Sequence, residues 1–186
     1  MYNYPMSLTF SLIALILIVL GYFVRKKYLY LASQSLGIVF LILSYLFSEE
    51  YFAMISLSIG LFRTVTFFIY EKNNLSAPII WSFIFSLATL VVYVVLELVV
   101  LQKKNFIGLI NVVALSGYAF IFRMRNLNLV RYLVILPLGL SVLYNLLICA
   151  PIFTIISYLF EVTSSVVAII SFKIIEKRRK QQDLLD

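Results

Sequence analysis

Seven apolar runs, 5–24, 28–48, 51–70, 77–101, 105–122, 128–149 and 151–175, follow one another with only short polar or charged breaks. An α-helix rises 1.5 Å per residue, so about 20 residues cross a hydrocarbon core roughly 30 Å thick. Inside lipid a backbone must satisfy its own hydrogen bonds, so runs of this length predict seven membrane-spanning helices. The connections leave no stretch for a soluble domain. The first run has no basic residue before it and no small-residue cleavage site after it, and Arg25-Lys26-Lys27 follows at once. It is expected to be a retained first helix and not a signal peptide.

Composition agrees with the pattern. The 186 residues are 63% hydrophobic and 12% charged, against roughly 45–50% apolar in a soluble domain, and the mean hydropathy is +1.07. The basic residues then give an orientation. Seven spans put Arg25, Lys26, Lys27, Lys72, Arg123, Arg125, Arg131, Lys173 and the cluster Lys177-Arg178-Arg179-Lys180 on one side, and only Lys103 and Lys104 on the other. The positive-inside rule makes the basic side cytoplasmic, which sets the N-terminus outside and the C-terminus inside. The net charge of +7 follows from basic loops facing an anionic leaflet, so it implies no nucleic acid partner. The basic tail reads first as a topology anchor.

A repeat organises the chain. Gly21-Tyr22, basic residues and a long apolar span are echoed by Gly117-Tyr118, Arg123, Arg125 and another long span, and residues 53–64 align with 151–162. Spans 1 to 3 and 5 to 7 start on the same side, so the halves are parallel and span 4 is an inverting linker. The expected fold is all-α, two parallel three-helix bundles around a linker helix: 1–74, 75–104 and 105–186.

In this alignment Arg63 falls on Glu161, at depths of about 18 and 15 Å counted at 1.5 Å per residue. An ionisable group inside a span is costly and normally faces a partner or a wet pathway. These two are therefore the main candidate site, either as a solute or ion site or as an ion pair fixing the helices. Gln34, Asn111 and Asn145 are candidates for lining it, although membrane-helix amides also simply bond across helices. Pro137 removes a backbone donor in the middle of span 6 and, with Gly139, marks a candidate hinge. Gly37 is its candidate counterpart in span 2. Ser56 and Gly60 make a small-residue packing face, and Glu97 an interfacial position. Most of the sixteen Phe and thirteen Tyr are expected at lipid-facing or interfacial positions.

Cys149 is the only cysteine and histidine is absent, which excludes an internal disulfide framework and a Cys/His zinc site. There is no phosphate-binding Gly-x-x-x-x-Gly-Lys-Ser/Thr loop and no Gly-x-Ser-x-Gly turn, so neither an enzyme nor a cofactor is expected.

The run Leu61-Phe62-Arg63-Thr64, Arg131 opening a span that ends Leu143-Tyr144-Asn145, and Pro151 to Glu161 with Ser164 and Ser165 beyond it resemble the bacterial inner-membrane YgjV-like family. The resemblance covers nearly the whole chain. It implies a relationship to the SWEET, PQ-loop and nicotinamide riboside transporter assemblage, built from three-helix bundles joined by a linker helix. The chain lacks a Pro-Gln dipeptide and has one mid-helix proline, so it does not support a sugar substrate. With Trp81 alone it offers no tryptophan sandwich for a nucleobase. The expected function is a permease for a small polar or ionic solute in the cytoplasmic membrane. The alternatives are a substrate-capture subunit of a multi-component transporter and a non-transporting scaffold. Expected partners are membrane lipids and the solute, with a second copy of the chain as an open option.

Overall fold

The computed structural model describes residues 4–47, 51–96, 106–147 and 152–182. Seven helices occupy them: α1 (Tyr4–Phe23), α2 (Lys27–Phe47), α3 (Tyr51–Lys72), α4 (Ile79–Tyr93), α5 (Ile107–Ile121), α6 (Leu127–Leu147) and α7 (Ile152–Gln182). There is no strand among the described residues. Six helices are long and apolar enough to span a bilayer, with α4 continuing through Leu96 in a wider final turn. The expected span 105–122 is described over 15 residues, which is an apolar helix below spanning length. Glu97, Lys103, Lys104, Cys149 and the side chains of the basic tail lie outside the description.

Local chemistry sets the turns. α3 stops where Asn74 takes the left-handed conformation, φ 57°, and the Leu75 amide bonds back to the Tyr70 carbonyl at 2.9 Å. This is the usual way to satisfy the last carbonyls of a helix, with asparagine in the place glycine commonly takes. α6 opens on Asn126, whose side-chain oxygen accepts from the amides of Asn128 and Leu129, so it serves as an N-cap.

α2 packs against α1 and α3, and α6 packs against α5 and α7. α4 lies against α5 and α3, while α1 meets α7. Gly37 lets α1 and α2 approach closely, since a Cβ there would run into the Ile18 side chain and the Ala14 carbonyl. The two central helices share a burial register. In α2 the buried positions include 27, 30, 31, 34, 37, 38 and 44, and in α6 they include 127, 130, 131, 134, 137, 138 and 144. The inward faces of α2 and α6 therefore match at an offset of 100, although few residues match between these stretches. This register sets Gly21-Tyr22 opposite Ile121-Phe122, one turn away from the Gly117-Tyr118 suggested by residue identity. In α3 the buried run Arg63, Thr64, Phe67 matches Ser164, Ser165, Ala168 of α7 at an offset of 101, which sets Glu161 against Gly60 and not against Arg63.

Candidate functional site

Arg63 is buried in α3, at 6% exposure. Its Nη1 donates to the Leu115 carbonyl of α5 at 2.8 Å, and its guanidinium lies 5.3 Å from the Tyr118 ring and 5.5 Å from the Phe122 ring. The aromatic faces supply cation–π stabilisation that partly offsets desolvation. Its Nε has no hydrogen-bond partner.

Glu161 is half-buried in α7. The Tyr22 hydroxyl of α1 lies beside its carboxyl. Arg63 and Glu161 form no ion pair; among the described residues the ion pair is Lys27 with Glu71, at 2.8 Å. What lies between the two charges is a set of tyrosines. Arg63 lies over Tyr118 and Phe122, which pack on each other at 5.6 Å. Tyr22 meets Tyr30 edge-on at 5.5 Å, and Tyr30 meets Phe122 at 5.9 Å. Tyr30 is fully buried, and its hydroxyl lies beside that of Tyr22.

The expectation that the aromatics face lipid or the interface fails for this group. Tyr22, Tyr30, Phe67 and Phe122 are at most 3% exposed. A ring with one polar atom fills a helix junction while presenting a hydroxyl inward, and residue composition carries no information on that choice.

Sequence reasoning also missed Arg131, which counted only as a flanking basic residue. It is 1% exposed. Its Nη1 donates to Asn128 at 3.1 Å, its Nη2 donates to the Val24 carbonyl of the α1–α2 turn, and its guanidinium lies 4.2 Å from the Phe172 ring. The Ser165 hydroxyl holds the Arg131 carbonyl from α7 at 2.9 Å. The available signal was position: Arg131 lies one turn inside α6, on the face that carries Val134 and Leu138. Lys27, likewise counted as a loop charge, is buried at 6%.

The remaining candidates scatter. Gln34 is buried and donates to the Ile18 carbonyl of α1 at 3.5 Å. Asn145 is buried and donates to Ser141 of its own helix at 2.7 Å. Asn111 lines a small crevice with Ser56, Thr89, Tyr93 and Leu115, where α3, α4 and α5 meet. Leu115 links this crevice to Arg63 through its carbonyl. Pro137 is fully buried inside an unbroken α6 and faces Gly117, where a Cβ would lie 3.5 Å from the proline Cβ. A Cβ at Gly139 would meet nothing.

At the end of the molecule where α1 turns into α2, basic side chains tie the loops together. Arg123 donates to Ala77 at 3.0 Å and Arg125 to Asn74 at 2.8 Å, and Arg131 reaches Val24. We refer to this as the basic end.

No protein-family model matches the chain, and no curated protein or solved structure matches it. The helices define a class, a multi-pass α-helical membrane protein. They carry a charged and tyrosine-rich cluster where α3 meets α5 and α1 meets α7.

Proposed function

We propose that this protein is a permease of the bacterial cytoplasmic membrane for a small polar or ionic solute, akin to the YgjV-like proteins it resembles. In this reading residues 1–74 and 105–186 are two parallel three-helix units joined by the linker 75–104. The N-terminus is outside and the basic end is cytoplasmic. The units rock against each other around a site that includes Arg63 and Glu161, with Pro137 and Gly139 easing the bend of α6.

The observation that carries this reading is the run of contacts from Arg63 over Tyr118 and Phe122, through Tyr30 and Tyr22, to Glu161. Polar and ionisable groups are expensive at membrane depth and mark solute pathways. Here they collect on the surface along which the units would have to part. The test is a thermal-stability screen of purified protein against sugars, nucleosides, amino acids, organic acids and common ions, beside Arg63→Gln and Glu161→Gln. A ligand that binds the folded state raises its melting temperature with concentration. Stabilisation by one compound, lost in both variants, supports the permease. No stabilising compound, with both variants merely less stable, favours the scaffold.

A further inference from the structure

Two buried arginines reach between helices α1 to α3 and helices α5 to α7, in opposite directions. Arg63 of α3 donates to the Leu115 carbonyl of α5, and Arg131 of α6 donates to the Val24 carbonyl of the α1–α2 turn. The two carbonyls differ in kind. Leu115 lies inside α5, whereas Val24 follows the last residue of α1 and precedes the start of α2 at Lys27, where no continuing helix supplies an amide. An arginine suits such an end, because its charge also meets the negative pole of α1. Arg131 is anchored on one side and reaches on the other. Asn128 of its own helix accepts from Nη1 at 3.1 Å, the Phe172 ring of α7 lies 4.2 Å from its guanidinium, and the Ser165 hydroxyl of α7 holds its carbonyl at 2.9 Å. Its bond to Val24 is the reach into the first three helices. Arg123 and Arg125 also bond carbonyls, but from exposed positions, while Arg131 is 1% exposed.

We propose that Arg131 is a latch: its bond to the Val24 carbonyl holds the basic end shut, and its release admits water to the face of α6 that carries Val134. The inference rests on the rocking of two units proposed above, but not on any solute. The energetics suit a contact that opens and closes. Arg131 Nε is buried without an acceptor, so it bears the cost of lost hydration for as long as the contact is closed. Drawing the turn away from α6 breaks the bond to Val24, and water then takes its place on the guanidinium and on the carbonyl, while Nε gains a partner it lacked. These exchanges offset one another, as a two-state contact at an interface requires. Arg131 acts here as a positioning residue, through the turn it holds.

The experiment is the rate at which a charged maleimide labels single cysteines in the detergent-purified full chain, in a Cys149→Ser background. Val134→Cys reports one turn deeper than Arg131 on the same face of α6, at a position 0% exposed. Ser141→Cys reports about 15 Å along α6 from Arg131, at a position 2% exposed. Arg131→Gln is expected to raise the labelling rate of Val134→Cys about tenfold or more, the effect of losing one hydrogen bond from a charged group, and to leave Ser141→Cys unchanged. Arg131→Lys keeps the charge and a donor toward Val24, so it should fall between wild type and Arg131→Gln. Phe172→Leu keeps an apolar side chain and removes the ring beside the guanidinium, and it should give a smaller rise at the same cysteine. Should Arg131→Gln not fold, these two variants carry the comparison. A parallel rise at both cysteines means that Arg131 only stabilises the fold and overturns the latch, as does an unchanged rate at Val134→Cys. Proteoliposome flux separates the two claims: selective labelling of Val134→Cys with no solute transported keeps the latch and refutes the permease, whereas flux of a solute with Val134→Cys equally protected in every variant does the reverse.

Discussion

At the scale of single residues, the cost of a buried polar group depends on what it touches. Lys27 has a side chain only 4% exposed and holds Glu71, whose side chain is 22% exposed. Glu71→Gln leaves the ammonium without its counterion and is expected to lower stability by about 1–3 kcal/mol. The double replacement Lys27→Met with Glu71→Leu should recover much of that loss, because well-packed apolar residues often match a buried ion pair. Thermal unfolding in detergent reads both. Arg63 and Glu161 behave differently, since they do not touch. Exchanging their signs, Arg63→Glu with Glu161→Arg, is expected not to restore what either single change removes; recovery of melting temperature or flux in the double variant would show that they act as a direct pair. If Glu161 carries a proton, flux should vary with pH in wild type and lose that dependence in Glu161→Gln. An unaltered pH profile rejects the proton role.

Between elements, packing is decided by small side chains and by single hydroxyls. Gly37 admits α1 against α2, and Gly37→Val forces the helices apart at an expected cost of about 1–3 kcal/mol. Ser82 and Ser86 make a sharper comparison, because both lie on α4. Ser82 donates to the Ala119 carbonyl of α5 at 2.8 Å, while the buried Ser86 hydroxyl has no partner. Ser82→Ala should destabilise by about 1 kcal/mol, and Ser86→Ala should be neutral or stabilising. A melting series that ranks them the other way would contradict the α4–α5 contact.

For the whole molecule, the basic end is where the α5–α6 turn and α6 are tied to the turns after α3 and α1, by Arg125 to Asn74 and Arg131 to Val24. The rocking proposed above would require these ties to open. Cysteines at Asn73 and Arg125, both exposed, in a Cys149→Ser background, should abolish flux when joined by a short bifunctional maleimide and restore it with a singly reactive one. Full flux in the crosslinked protein would exclude opening at this end. A tag before Met1 and one after Asp186 should be reached from opposite sides of the membrane, the second from the cytoplasm. Access to both from one side would remove the orientation drawn from the basic residues.

The sequence by itself determined the helices, the membrane class and the identity of the two charges within the spans. Apolar length and charge spacing act locally, and each span must satisfy its backbone whatever surrounds it. It also suggested an internal repeat, in a register that the inward faces do not share. Aligning letters set Arg63 over Glu161, whereas the inward faces pair Arg63 with Ser164. A shift of three residues stays close to the same helix face, so residue identity barely resists it, while packing against α2 or α6 does. Only the tertiary structure decided that Arg131 is interior, that tyrosines separate Arg63 from Glu161, and that Gln34 and Asn145 spend their amides on nearby carbonyls. Those outcomes depend on which faces meet across helices distant in sequence, and a mostly apolar chain writes no clear inner face into its residue pattern.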